Sequence, residues 1–98
     1  MKNISLDDFG PIISTKESGS KILGLITESL KTNPKVSVDL GNIRSMATFC
    51  AKQIFGKLYV TLGAEKFFEN IEIVNASDDL KSIIKIGIQS AIQESVSG

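Results

Sequence analysis

At 98 residues the chain has room for one small domain with one core, and none for a deep cleft between two. Its 42% hydrophobic and 22% charged residues are those of an ordinary globular protein, and 11 basic side chains balance 11 acidic ones without gathering in either half. The chain therefore offers no basic stripe for nucleic acid or an anionic membrane, and without histidine it lacks Ser-His and Cys-His nucleophile pairs and the commonest zinc ligand.

Residues 4–9 read as a first strand, with Ile4 and Leu6 on one side. Gly10-Pro11 turns it toward Ile12-Ile13, a hairpin partner that must be short or at an edge because Pro11 lacks a donor. A first helix follows, capped at Thr15, Ser18 or Ser20; it carries Ile22, Leu25, Ile26 and Leu30 inward and stops before Pro34. Residues 36–40 alternate, Val36, Val38 and Leu40 facing one way and Ser37 and Asp39 the other, which predicts a strand in an interior position. A Gly41-Asn42 turn leads through residues 45–50 to a helix from about Thr48 to Leu62. On that helix Ala51, Ile54, Phe55, Leu58, Tyr59 and Leu62 share a face, and Gly63 ends it in a left-handed conformation.

Residues 65–69 make a short helical turn into a strand over residues 71–74. Ser77 caps the last helix, with Asp78 and Asp79 in its first turn, where the helix dipole favours negative charge. Its inward face is Leu80, Ile83, Ile84, Ile88, Ala91 and Ile92, and residues 95–98 are expected to fray. The order β-β-α-β-α-β-α predicts one α/β domain over residues 1–98: a mixed four-stranded sheet with parallel crossovers and three main helices, mainly on one face.

The single cysteine, Cys50, permits no internal disulfide and suits a reducing compartment. No apolar run approaches the ~18 residues of a membrane span, and Asp7 and Asp8 interrupt the start of the chain before a signal-peptide core could form. A cytoplasmic protein with no membrane, no nucleic acid, no metal and no cofactor is the expectation.

The element order and four stretches of sequence resemble the STAS fold shared by sulfate transporters and anti-sigma-factor antagonists, and most of all a family of small bacterial STAS-like domains of unassigned function. The stretches are Asp39-Leu40-Gly41-Asn42-Ile43, Ile54-Phe55-Gly56-Lys57-Leu58, Ile71-Glu72-Ile73-Val74-Asn75 and Asp79-Leu80-Lys81-Ser82-Ile83-Ile84, and the likeness spans residues 12–93. These are core and turn residues, so the resemblance implies fold much more than function. In anti-sigma-factor antagonists the turn after the strand reads Asp-Ser-Ser-Gly, its first serine phosphorylated by a partner kinase. Counted from Asp39, that tetrad falls on Ala47, Thr48, Phe49 and Cys50, so Thr48 is the one hydroxyl at the phosphoacceptor position, and the Asp, second Ser and Gly are absent. The resemblance also implies a protein partner, an ATPase related to histidine kinases.

Several residues carry a structural and a functional reading side by side. Thr48 reads first as a helix cap and second as a phosphoacceptor. Asp39 reads first as a clamp on the Gly41-Asn42 turn and second as a phosphoacceptor beside a metal-binding Asp7-Asp8 pair, as in response-regulator receivers. Ser18-Gly19-Ser20-Lys21 lacks the spacing of a phosphate-binding loop and reads as helix capping. Cys50 reads as a small core filler, Phe67-Phe68 as one buried and one exposed ring, and Ile86 and Phe49 as exposed apolar residues.

The leading expectation is a non-catalytic regulatory or adaptor domain, a monomer or weak homodimer, that docks on a protein partner. Ser45, Met46, Thr48, Phe49 and Cys50, with the helix that follows, form the expected interface; Met46 and Phe49 are apolar residues that a loop has no local reason to carry. The alternative is a sensor of a nucleotide or another small anion at the same helix N-terminus. A contiguous apolar patch would favour docking, and a concave pocket would favour sensing.

Overall fold

The chain combines short strands with longer helices, and Thr15, Gly63 and Ser77 mark three of the helix ends. The computed structural model describes residues 2–97. In order it contains β1 (Lys2–Ser5), a 3-10 turn (Asp7–Phe9), β2 (Ile12–Ile13), α1 (Lys16–Thr32), β3 (Val36–Asp39), β4 (Ser45–Met46), α2 (residues 48–62), α3 (Ala64–Asn70), β5 (Ile71–Val74) and α4 (Asp78–Ser97). Helix α2 is continuous but not uniform. It is α-helical over Thr48–Ala51, widens to a π-helix over Lys52–Gly56 and returns to α over Lys57–Leu62.

Strand β3 lies between β1 and β5, parallel to both, and the row Ile4, Val38, Ile73 crosses all three. Ile4, Val36, Val38 and Ile71 are buried on one face, whereas Asn3, Ser5 and Glu72 are exposed on the other and enclose only Ser37. The helices accordingly cover the apolar face, with α1 packed on β1 and β3. The interior position of β3 and the burial of Val38 and Leu40 are as the alternation predicts, and the burial of Ile54, Leu58 and Ile84 is as the helical periods predict.

The expected hairpin is absent, and with it the mixed four-stranded sheet. After Ser5 the chain turns through the 3-10 segment and Gly10, at φ 81°, and Ile12-Ile13 pairs in parallel with Ser45-Met46 instead of returning along β1. The result is a three-stranded parallel sheet and a separate two-stranded parallel pair. Pro11, which has no N–H to give a hairpin, supplies a carbonyl that accepts from Arg44 N at 2.7 Å and Ser45 N at 3.2 Å. The three expected helices become four among the described residues, because the turn after Gly63 is a full helix, α3.

Local signals at the helix ends hold well. Thr15 Oγ1 accepts from Ser18 N at 3.1 Å and starts α1, Gly63 closes α2 at φ 86°, and Ser77 Oγ accepts from Leu80 N at 3.2 Å at the head of α4. One expectation needs correction. Leu25 is exposed, because at roughly 100° per residue the inward stripe runs through buried Gly19, Ile22 and Ile26 and half-buried Leu30, and Leu25 falls off its edge. Helix α4 runs to Ser97, and position 98 lies outside the described residues.

Packing of α2 against α4 requires two glycines. A Cβ on Gly87 would stand 2.6 Å from Lys52 N and 2.7 Å from the Ala51 carbonyl carbon, and one on Gly56 would stand 2.7 Å from Ala91 Cβ. Gly24, on the exposed side of α1, has open space around it. Gly87→Ala should therefore cost about 1–3 kcal/mol through overpacking against rigid backbone, whereas Gly24→Ala should add about 0.5–1 kcal/mol from helix propensity alone. Urea denaturation of the two variants beside wild type checks both signs.

Candidate functional site

Two regions collect the polar and exposed residues singled out in the sequence. The first is the C-terminal edge of the three-stranded sheet. Asp39 Oδ1 accepts from Gly41 N at 2.8 Å and from Asn75 Nδ2 at 3.1 Å, and Asn75 itself sits in the left-handed region at φ 61°. Across the edge Asn42 Nδ2 donates to Asp7 Oδ2 at 2.8 Å. The Asn75 and Gly41 hydrogen bonds hold the Asp39 carboxyl below its ordinary pKa. Asp39 thus clamps the Gly41-Asn42 turn, as its structural reading expects. Among the described residues no three His, Cys, Asp or Glu side chains converge as metal ligands.

The second region is the junction of β4 and α2, where the expected interface residues lie. Ala47 N donates to Ile13 O at 2.8 Å, so the β2–β4 pairing runs to the threshold of the helix. Ala47, with extended backbone, is the N-cap; Cys50 N and Ala51 N both donate to its carbonyl. Thr48 is therefore not the cap. It is the first helical residue, with its side chain exposed, because the β2–β4 pairing holds Ala47 extended and the helix begins directly after it.

Strand alternation decides the rest. Ser45 points outward beside its register partner Ile12, and Met46 points inward beside Ile13 and is only 2% exposed. Met46 is thus a core residue and not an exposed anchor. Cys50 is also buried, its Sγ donating to Thr15 O at 3.4 Å, and burial pushes its thiol pKa up, away from a reactive thiolate. Of the five candidates, Ser45, Thr48 and Phe49 reach solvent, and Phe49 is 52% exposed. Ile12, 59% exposed, adds an apolar residue that periodicity could not find, since a two-residue strand has no period.

Phe49 also lies at the mouth of an open groove of about 900 Å³ between α1, α2 and the C-terminal half of α4. Lys16 and Leu23 form one wall, Ala91 and Glu94 the other, and Gln53 and Val60 lie along α2 between them. Gln53 Nε2 donates to Lys16 O and Ser20 Oγ, both at 3.2 Å, while its Oε1 is buried with no hydrogen-bond partner among the described residues. Lys52 and Glu94 form an ion pair beside the groove. Residues 18–21 lie inside α1, where a Cβ on Gly19 would collide with the Gln53 carboxamide; the glycine gives clearance and forms no phosphate loop. Elsewhere Phe67 is buried and Phe68 69% exposed, packed edge-on to each other, and Ile86 stands exposed on α4, all as read from the sequence. No helix among the described residues is long and apolar enough to cross a membrane.

The model of one protein family, described as a STAS-like domain of unknown function, matches residues 18–81, about two-thirds of the chain. No curated protein and no solved structure matches it.

Two outcomes follow from this geometry. Met46→Ala should cost about 2–5 kcal/mol, the usual penalty of a core cavity, and Phe49→Ala should stay within about 1 kcal/mol; thermal melts of both variants separate them. The Asp39 contribution should be complete above its ordinary pKa of 3.8 and be lost as pH falls through the lower folded value. Denaturation curves of wild type and Asp39→Asn should thus differ near neutrality, with wild type the more stable, and converge progressively as pH falls from about 4 through the lowered folded value.

Proposed function

The chain belongs to the STAS-like domains of unknown function, and on that premise we propose that it is a non-catalytic regulatory or adaptor domain that docks a protein partner. The docking face is Ser45, Thr48 and Phe49, with Ile12 alongside. What carries this reading is Phe49: an aromatic ring half in solvent in the first turn of a helix whose start is tied to β2 by backbone hydrogen bonds. Rigid aromatic surface at a fixed position is the kind of residue that dominates interface energetics. Met46 and Cys50 support the face from the core beneath it and do not touch the partner.

Nothing in this arrangement activates a nucleophile, since the one thiol is buried and the best-held carboxylate clamps a turn. Docking is favoured over sensing a nucleotide or another small anion because the adjoining groove is open along its length, whereas small ligands are held in pockets that bury most of their surface. By family resemblance the partner is an ATPase related to histidine kinases. Phosphorylation of Thr48 by it would bring about two negative charges to the first turn of α2, where the helix dipole accepts them.

The test is affinity purification from the source cells with the wild-type chain, Phe49→Ala and Thr48→Glu, each first shown to melt like a folded protein. Phe49→Ala should lose the partner and Thr48→Glu should change its recovery. Retention of the same partner at wild-type yield by both variants would show that this face is not the interface.

A further inference from the structure

We infer that the groove beside Phe49 receives an acidic amphipathic helix of the partner, an inference that rests on the adaptor reading and names the partner's chemistry. The groove does not end at Val60. A second depression of about 330 Å³, almost wholly apolar and lined by Leu23, Leu30, Leu58 and Leu62, shares Leu23 and Lys57 with the first. Together they follow α1 from Lys16 to Lys31, roughly 22 Å at ~1.5 Å per residue, or about four turns of a helix laid alongside. Apolar side chains repeated at i, i+3, i+4 and i+7 over the four turns of such a helix would form one stripe facing the apolar lining, which includes Phe49, Leu23, Val60 and Leu30.

Charge selects the occupant further. Four lysines line the two depressions, Lys16, Lys31, Lys52 and Lys57, against one carboxylate, Glu94. Glu94 is paired with Lys52, and Lys31 is paired with Glu28, so Lys16 and Lys57 have no ion-pair partner among the described residues. This is a local surplus of positive charge in a chain with none overall. Acidic flanks on an incoming helix would meet it, which steers encounter and fixes orientation. A nucleic acid would need a backbone track with stacking aromatics; here the groove holds a single aromatic and leucines.

Photo-crosslinking in the source cells tests the inference with the full chain. Benzoylphenylalanine is placed at Val60 in one variant and at Phe49 in a second, both lining the groove, and at Phe68, outside it, in a third. The crosslinked peptide is then sequenced. Val60 or Phe49 should capture an acidic, amphipathic helical segment of another protein, and Phe68 should not. Lys16→Glu with Lys57→Glu should reduce that yield about tenfold, with the melting temperature unchanged. A basic segment, a nucleic acid or a second copy of the chain in the product overturns the inference, as does undiminished yield from the charge-reversed variant. If the groove positions capture nothing while Phe49→Ala still releases the partner, the groove inference fails alone. If Phe49→Ala also leaves the partner bound, the adaptor reading fails with it.

Discussion

The contact on which the rest of the molecule depends is the backbone-to-backbone approach of α2 and α4. Gly87 lies against Ala51 and Lys52, and Gly56 lies against Ala91 and the Gly87 carbonyl, at separations that leave no room for a Cβ. The π-helical segment coincides with this contact. Residues 52–56 include Gly56, pressed on α4, and Gln53, bonded to α1 through Lys16 O and Ser20 Oγ. Both neighbours are thus met within one five-residue π segment, a form that is rare and occurs mostly as a single turn inside an α-helix. Ile54 and Phe55, fully buried within the same five residues, turn the close approach into a core.

The start of α2 is held on α4 through Ala51 and Gly87, and the small β2–β4 pair adds a second hold. Each of the two crossovers contributes one strand to it: β2 comes from the connection between β1 and β3, and β4 from the connection between β3 and β5. The bonds from Arg44 and Ser45 to Pro11 O and from Ala47 to Ile13 O lace the crossovers together just before the helix begins. The segment that presents Ser45, Thr48 and Phe49 is therefore a paired strand running into a helix. Its exposed side chains are held by main-chain geometry, which lowers the entropic cost of using them as a binding surface.

A polar edge closes the three-stranded sheet where β1, β3 and β5 finish. Ligands in open α/β sheets commonly bind beyond the carboxyl ends of the strands. Here that space is spanned by Asp39 with Gly41 and Asn75, and by Asn42 with Asp7. Asp39 and Asp7 each accept a hydrogen bond from the Gly41-Asn42 turn. The groove between α1, α2 and α4 differs: there two lysines have no ion-pair partner among the described residues and the Phe49 ring is half exposed.

Much of the fold was legible along the chain because its signals are local. Thr15, Gly63 and Ser77 mark helix ends by side-chain hydrogen bonding or backbone freedom, and the alternation in residues 36–40 and the apolar faces of α2 and α4 repeat often enough to declare a period. Strand pairing was not legible, because a strand of two residues has no period and its partner is decided by where the crossovers bring it. The same fact governed the candidate site. From sequence, Met46 and Phe49 are equivalent apolar residues in one short stretch; pairing of Ser45-Met46 with Ile12-Ile13 turns Met46 into the core, and the helix that starts at Thr48 turns Phe49 outward. Sequence alone determined which residues are apolar, where α1 and α4 begin and α2 ends, and the family to which the chain belongs. Only the tertiary structure decided which of those residues reach solvent, since burial is set by the neighbours that long-range packing supplies.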